Sequence, residues 1–361
     1  MTKRPDPVAI LRAGLASRHL DITTIMKGVK RTYFESPSHG EVLFGFNQLL
    51  QGIVESYEML DSEEGDQEEV RGLIVAGLPR AGKSRILKQI FRSHPSLPDY
   101  GKRRGNCPLL TVVPRGACTI KRFGADTLAR TGLTVVQMPT GKDYEITLAH
   151  MIRDRLRLRG IKILHVDEAH HITQAANSHD IVLVINMFKC LMIDKDWPIA
   201  LVLSGIPELV DALQMDDQIT GRLDVINVPS LQISENKAQI EAILAELCAA
   251  AGLAMEKAQS KLITPRLIHA GNYQLGRSIE IIYAAIRLAL EYRESDLRLD
   301  TFARTYRNTR AVAPDRNPFI ALDWAKTDPL MILTSSRRQR QEIALNAKRR
   351  SKAQAEAEAD L

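Results

Sequence analysis

Apolar positions along this chain change their spacing as it proceeds. Between Glu41 and Leu60 the residues Val42, Phe46, Leu49, Ile53, Tyr57 and Leu60 fall on one helical face, which predicts an amphipathic helix. From residue 72 onward, short continuous apolar runs take over: Gly72-Leu-Ile-Val-Ala76, Leu109-Leu-Thr-Val-Val113, Ile161-Lys-Ile-Leu-His-Val166, Ile199-Ala-Leu-Val-Leu-Ser204 and Val225-Ile-Asn-Val228. Runs of this kind suit strands buried on both faces. Helical spacing lies between most of them, at Arg85 to Phe91, Phe123 to Arg130, Tyr144 to Leu158 and Asp180 to Met192. Strands alternating with helices predict an α/β fold, with a parallel sheet covered on both sides.

After Pro229-Ser230 the strand signal stops. Helices are expected from Ser234 to Ala251, Pro265 to His269, Gly276 to Tyr292 and Thr301 to Arg307, which together form a small all-helical lid. Residues 1–35 are weakly patterned, and Tyr33 to His39 reads as an extended approach to the first strong helix. Asp61 to Glu69 is an acidic, solvated loop. The expected organisation is an N-terminal extension (1–35), a nucleotide-binding α/β domain (36–230), a helical lid (231–310) and a C-terminal extension (311–361). Residues 311–336 hold three prolines, and the tail 337–361, with seven Lys/Arg and four Asp/Glu, is expected to be disordered.

Composition narrows the class. The 361 residues are 45% hydrophobic and 25% charged, as in a soluble protein with a proper core. Aromatic residues are only 5%, which argues against a stacking platform for single strands. The formal charge of +6 fits a polyanionic partner. Cys107, Cys118, Cys190 and Cys248 show neither zinc-site nor disulfide-scaffold spacing, in keeping with a reducing cytoplasm. The N-terminus lacks the apolar stretch of a signal peptide, and the longest apolar run, Ile181 to Ile193, is too short to cross a membrane.

The chemistry centres on Gly77-Leu78-Pro79-Arg80-Ala81-Gly82-Lys83-Ser84-Arg85. A glycine, four residues and Gly-Lys-Ser between a strand and a helix make a P-loop, whose backbone N–H groups and helix N-terminus cradle phosphate. Lys83 would reach the β- and γ-phosphates of ATP, and the Ser84 hydroxyl would hold Mg²⁺. Hydrolysis needs an acid on a neighbouring strand, and Asp167-Glu168 follows one. Asp167 would orient the Mg²⁺, and Glu168 would polarise the attacking water. The box continues Ala169-His170, the signature of one helicase class, but no second sheet is expected after residue 230 and no distal helicase motif follows. Ser204, at a strand end, can hydrogen-bond the γ-phosphate or the water. Arg222, before the last strand, can act as an arginine finger on a neighbouring subunit's ATP, and Arg277, at the start of a lid helix, can touch the γ-phosphate.

With these residues assembled, the chain resembles the AAA+ ATPases, and among them the transposition regulators TniB, TnsC and MuB, TniB most of all. The resemblance runs from about residue 30 to 300, through the P-loop, the Val166-Asp-Glu-Ala-His170 box, Leu203-Ser-Gly-Ile-Pro-Glu208, the Arg222 segment and Gly271-Asn-Tyr-Gln-Leu-Gly-Arg277. It implies a five-stranded sheet of order 5-1-4-3-2 across this region. It also implies a homo-oligomeric ring or filament on double-stranded DNA in the bacterial cytoplasm. That assembly would mark a target for a DDE-type transposase, with a TniQ-like adaptor as a possible participant, and ATP hydrolysis would limit or remodel it.

DNA phosphates would be met by two basic clusters flanking the second strand. Thr119, Lys121 and Arg122 follow it, in the region that the resemblance turns toward a central channel, and Lys102, Arg103 and Arg104 precede it. The tail cluster Lys348-Arg349-Arg350 offers another contact to DNA or transposase. The alternative is an ATPase like the secretion protein ExeA, acting on protein partners without DNA. That family usually carries a membrane segment and a cell-wall-binding region, and neither is visible here.

Overall fold

A computed structural model of the chain describes residues 6–60, 70–102, 105–114, 116, 118–133, 137–174 and 178–332. Its elements are α1 (Pro7–Ala13), α2 (Ser17–Arg31), α3 (His39–Leu60), β1 (Gly72–Ala76), α4 (Lys83–Ser93), β2 (Leu109–Val112), α5 (Ile120–Arg130), α6 (Tyr144–Leu158), β3 (Ile163–Val166), α7 (His170–Gln174), α8 (Ser178–Met192), β4 (Ala200–Gly205), α9 (Pro207–Leu213), α10 (Asp217–Thr220), β5 (Leu223–Asn227), α11 (Ile233–Ala250), α12 (Lys257–Ala270), α13 (Leu275–Tyr292) and α14 (Leu299–Arg310). The described chain forms two compact units. One holds residues 34–230 with 274–276; the other holds the residues up to 33, 231–273 and those from 277 onward.

The first unit is built on five parallel strands in the order β2-β3-β4-β1-β5. This is the order that the resemblance implied, met from the opposite edge. The runs of β1, β3 and β4 are buried along their whole length, while the edge strands β2 and β5 each keep only two positions buried, Leu109 and Val112 in β2 and Leu223 and Ile226 in β5. Side chains leave a strand alternately on its two faces. Ile74, Val112, Leu164, Val166, Leu201 and Leu203 therefore pack with α5, α6, α8 and α9 on one side of the sheet. Leu73, Val75, Leu109, Ile163 and Val202 pack with α3 and α4 on the other.

The second unit is helical, and it holds more than the spacing predicted. The N-terminal residues, weakly patterned in sequence, form α1 and α2. Only Ile22, Met26 and Val29 of α2 are buried, so a polar helix of 15 residues shows too narrow a stripe to stand out. Helix α12 begins eight residues before Pro265, from which the sequence suggested it starts. Proline disfavours helical backbone in the residue before it, yet the helix runs through, with the Thr264 hydroxyl donating to the Ser260 carbonyl at 2.9 Å. Past α14 the chain keeps contact with the helices as far as Pro329. Asn317 Nδ2 donates to Ala303 O at 2.8 Å, the Phe319 ring lies 5.4 Å from that of Phe302, and the Tyr306 hydroxyl donates to Pro329 O at 3.2 Å. The basic tail lies outside the described residues.

Phe91 of α4 is fully buried and meets Phe46, Tyr100 and His165 ring to ring, at centroid distances of 5.3, 5.3 and 5.1 Å. Phe91→Ala should cost about 3–5 kcal/mol, read as a lowered urea midpoint at unchanged denaturant slope.

Candidate nucleotide site

The P-loop occupies the turn between the carboxyl end of β1 and the first residue of α4. Gly82 takes φ 109° and Arg80 φ 68°, left-handed backbone on both sides of Ala81. Lys83 is buried, and its Nζ donates to Gly77 O at 2.7 Å and Leu78 O at 3.1 Å, so the ammonium lies within the loop's own curve. Burial holds this ammonium below its ordinary pKa, against the pull of Glu168 and Asp167. The segment 274–276 docks on the loop: Gly276 N donates to Arg80 O at 2.9 Å. A Cβ at Gly276 would stand 2.6 Å from that carbonyl, so only glycine permits this approach.

Asp167 follows β3 and is buried. Its Oδ1 accepts from Ser84 Oγ at 2.7 Å and from Ser204 Oγ, at the end of β4, also at 2.7 Å. Lys88 Nζ, one turn along α4 from Ser84, stands 3.6 Å from Oδ2. Burial pushes this carboxyl upward. The hydroxyl donors, with His165 and Lys88, outweigh it and hold the group below the usual carboxylate range. Glu168 is arranged differently. It takes φ 57°, an uncommon backbone for a residue with a long side chain, and its carboxylate is 40% exposed, with Oε2 3.3 Å from His170 Nδ1. A serine hydroxyl and a carboxylate brought together by two elements suit Mg²⁺, which prefers oxygen ligands and shares its sphere with water and phosphate. Among the described residues no group of three or more His, Cys, Asp or Glu is placed to hold a metal ion.

Four residues around the site escape the motif reading. Lys88 faces Asp167 because four residues bring it back to the face of Ser84. His165 is fully buried, with Nδ1 3.1 Å from Thr111 Oγ1 and Nε2 3.5 Å from Ser204 Oγ. Its desolvation pulls the imidazole down to about 4, against the opposing charge of Asp167. Thr111 Oγ1 in turn lies 2.9 Å from the Tyr100 hydroxyl. The available signal was a polar residue inside each of two apolar strands, at Thr111 and His165.

The family described as Bacterial TniB protein matches residues 43–233, more than half of the chain and all of this site except the 274–276 segment. The chain belongs to the TniB family. No match appears among curated proteins. Among solved structures, the Aeropyrum pernix ORC1 protein, whose structure is in complex with DNA, is similar at TM-score 0.55 and 16% identity, over 81% of this chain and 70% of that one. The Aeropyrum pernix ORC2 protein, in ADPNP–ADP complexes, is similar at TM-score 0.56 and 12% identity, over 80% and 72%. The TniB chain is thus a AAA+ ATPase, its P-loop at the carboxyl end of β1 and its acidic pair at that of β3, with β4 between the two strands. Among the described residues no helix is long and apolar enough to cross a membrane.

Arg222 stands at the other end of this TniB sheet. Its carbonyl accepts from Gly72 N at 2.8 Å, at the start of β1, whereas the P-loop begins at the end of that strand. At about 3.3 Å per residue the two ends lie roughly 16 Å apart. The turn bearing it is clamped. Asp216 caps α10 and pairs with Lys189 at 2.8 Å, Arg71 pairs with Asp224 at 2.7 Å, and Arg222 Nη1 donates to Gln218 O at 2.7 Å. Arg277 follows the docked segment in sequence and belongs to the helical unit. Thr119 caps α5, accepting from Arg122 N at 3.4 Å, while Lys121 lies 4.3 Å from the Tyr144 ring centroid and Arg122 pairs with Asp126. Lys102 pairs with Asp99 at 2.5 Å, and Arg103 and Arg104 lie outside the described residues.

Because Asp167 titrates below an ordinary carboxylate, its stabilising contribution is complete above about pH 4 and is lost as pH falls through the lower folded value. Ser204→Ala removes one donor to this charge. The expected cost is about 1.5–3 kcal/mol at pH 7, shrinking once the carboxylate is protonated, as urea unfolding at neutral and strongly acid pH would show.

Proposed function

We propose that this chain is an ATP-dependent, DNA-binding regulator of transposition that assembles on duplex DNA and engages a DDE-type transposase, with a TniQ-like adaptor as a possible participant. One observation supports assembly above others: Arg222 is held at the end of the sheet remote from its own P-loop, on a clamped turn. An arginine so placed can serve a nucleotide only on another copy of the chain. The P-loop N–H groups and Lys83 take the phosphates of ATP, while Ser84 and Asp167 hold Mg²⁺. The cation, when bound, neutralises charge that develops on the phosphate oxygens. Glu168, partly exposed, accepts a proton from the attacking water. Ser204 fixes Asp167, Arg222 from a neighbouring copy completes the charge stabilisation, and Arg277 senses the γ-phosphate. Family membership and the likeness to a fold seen in complex with DNA support duplex DNA as the partner.

Glu168→Gln should retain ATP binding and lower kcat by about 10²–10⁴-fold, while prolonging the DNA complex. Lys83→Ala should abolish assembly. Arg222→Ala should be inactive alone, yet regain part of its ATPase when mixed with Glu168→Gln, because one interface in the mixture joins an intact acid to an intact arginine. Monomeric sedimentation with ATP, Mg²⁺ and long duplex would refute the reading, as would an absence of rescue in mixtures shown to co-assemble.

The DNA-facing candidates Thr119, Lys121 and Arg122 sit at the amino end of α5, where helix dipole and side-chain charge share one sign. Lys102, on the approach to β2, is the second candidate. Replacing Lys121 and Arg122 by glutamine should weaken binding to all duplex sequences alike and reduce the log–log salt slope by about 1–2. A slope unchanged from wild type assigns the DNA contacts elsewhere.

A further inference from the structure

Beneath α4, on one face of the sheet, a row of polar groups runs from Tyr100 to Asp167. The two-residue period of β3 directs Ile163, His165 and Asp167 to the same side, and parallel pairing sets Thr111 beside His165. The contacts form a continuous chain. Tyr100 OH lies 2.9 Å from Thr111 Oγ1, Thr111 Oγ1 3.1 Å from His165 Nδ1, His165 Nε2 3.5 Å from Ser204 Oγ, and Ser204 Oγ 2.7 Å from Asp167 Oδ1. His165 and Ser204 are fully buried, so no bulk water can substitute for these partners.

The direction of each bond follows from its far end. An ionised carboxylate only accepts, so Ser204 gives its single hydroxyl proton to Asp167. Ser204 Oγ is then left to accept, and Nε2 must carry the imidazole proton. In a neutral ring Nδ1 is then an acceptor, and it takes the Thr111 proton; Thr111 Oγ1 accepts in turn from Tyr100. At 3.5 Å the ring–hydroxyl contact is long, so its role is to select one hydroxyl orientation rather than to add much binding energy.

We propose that His165 is a positioning residue for ATP hydrolysis: as the Nε2–H tautomer it fixes the Ser204 hydroxyl, which fixes the plane of the Asp167 carboxylate for the cation. The proposal rests on the reading of Ser84 and Asp167 as the Mg²⁺ holders. Partners one bond removed from a metal ligand commonly set its affinity by fixing its orientation. His165 touches neither nucleotide nor cation on this account and acts only through Ser204.

Two measurements on the full chain decide it. Long-range ¹H–¹⁵N correlation of ring-labelled histidine should show, for the resonance lost in His165→Gln, a protonated Nε2 and an unprotonated Nδ1. An Nδ1–H tautomer or a doubly protonated ring overturns the proposal, and this test needs only the wild type and one conservative variant. Second, a fluorescent ADP analogue is titrated with Mg²⁺. His165→Phe, which keeps the ring shape without a donor, should raise the half-saturating Mg²⁺ by about tenfold, with metal-free nucleotide affinity unchanged. Its kcat should fall while KM for the magnesium nucleotide holds. His165→Gln, whose amide N–H can reach Ser204, should recover most of both losses. A folded His165→Phe that titrates like wild type overturns the proposal. Wild-type nucleotide binding that ignores Mg²⁺ overturns the metal reading beneath it, and the proposal falls with that reading.

Discussion

A negative charge buried at Asp167 is the constraint around which the nucleotide-binding unit is arranged. A carboxylate withdrawn from water is costly unless donors and opposite charge surround it. Here the donors come from separate elements. Ser84 and Lys88 approach from α4 and Ser204 from β4, while His165, two residues back on the same strand, meets Ser204 rather than the carboxylate. None of these contacts forms unless β3 lies beside β4 and α4 crosses above them. The parallel order that sets β3 beside β4, and the packing of α4 on that face of the sheet, are therefore also what makes the acid tolerable. The contacts that stabilise Asp167 are the ones that aim it, so stability and chemistry draw on a single arrangement.

A parallel sheet also has direction. Every strand ends at the same side, so the P-loop after β1, the acids after β3 and Ser204 on β4 gather at one end. The residue before β5 must lie at the opposite end, and there Arg222 is held by Gln218 and flanked by the Asp216–Lys189 and Arg71–Asp224 pairs. Two sites separated by the length of a strand do not meet within one copy. On the proposed reading, a nucleotide placed between copies becomes part of the contact that joins them, and its hydrolysis becomes a means of releasing it.

Much of this was legible in the residues because it obeys local rules. The strand–loop–helix setting of Gly77 to Ser84 and the mostly apolar run before Asp167 follow from period and spacing alone, and β1, β3 and β4 stood out as short, mainly apolar runs because they are buried on both faces. Other features were illegible for physical reasons. Helix α2 buries three side chains of fifteen, too few to display a period. Helix α12 carries a proline that local preference treats as a boundary, although packing carries the helix through. The row Tyr100, Thr111, His165 joins residues distant in sequence, and only strand order makes them neighbours. A histidine within Ile163-Leu-His-Val166 signalled something, but what it signalled depended on β2 lying at its side.

The two adjacent acids show how position divides labour. Continuation of the strand period carries Asp167 onto the face of His165, where it is enclosed and neutralised by donors. Glu168 breaks that period by adopting φ 57°, a backbone state that costs of the order of 1–3 kcal/mol in a non-glycine residue. The surrounding bonds enforce it: Ala169 N donates to Ser204 O at 2.8 Å, and His171 N donates to Glu168 O at 3.0 Å. The turn sends the second carboxylate away from the donors that hold the first and leaves it partly open to water, against His170. Two identical functional groups thereby receive different environments from one backbone turn. The enclosed one is suited to holding a cation in place, and the open one to meeting a water molecule. Residues with opposed surroundings at one site are the arrangement from which distinct roles arise, and here the strained residue creates the opposition.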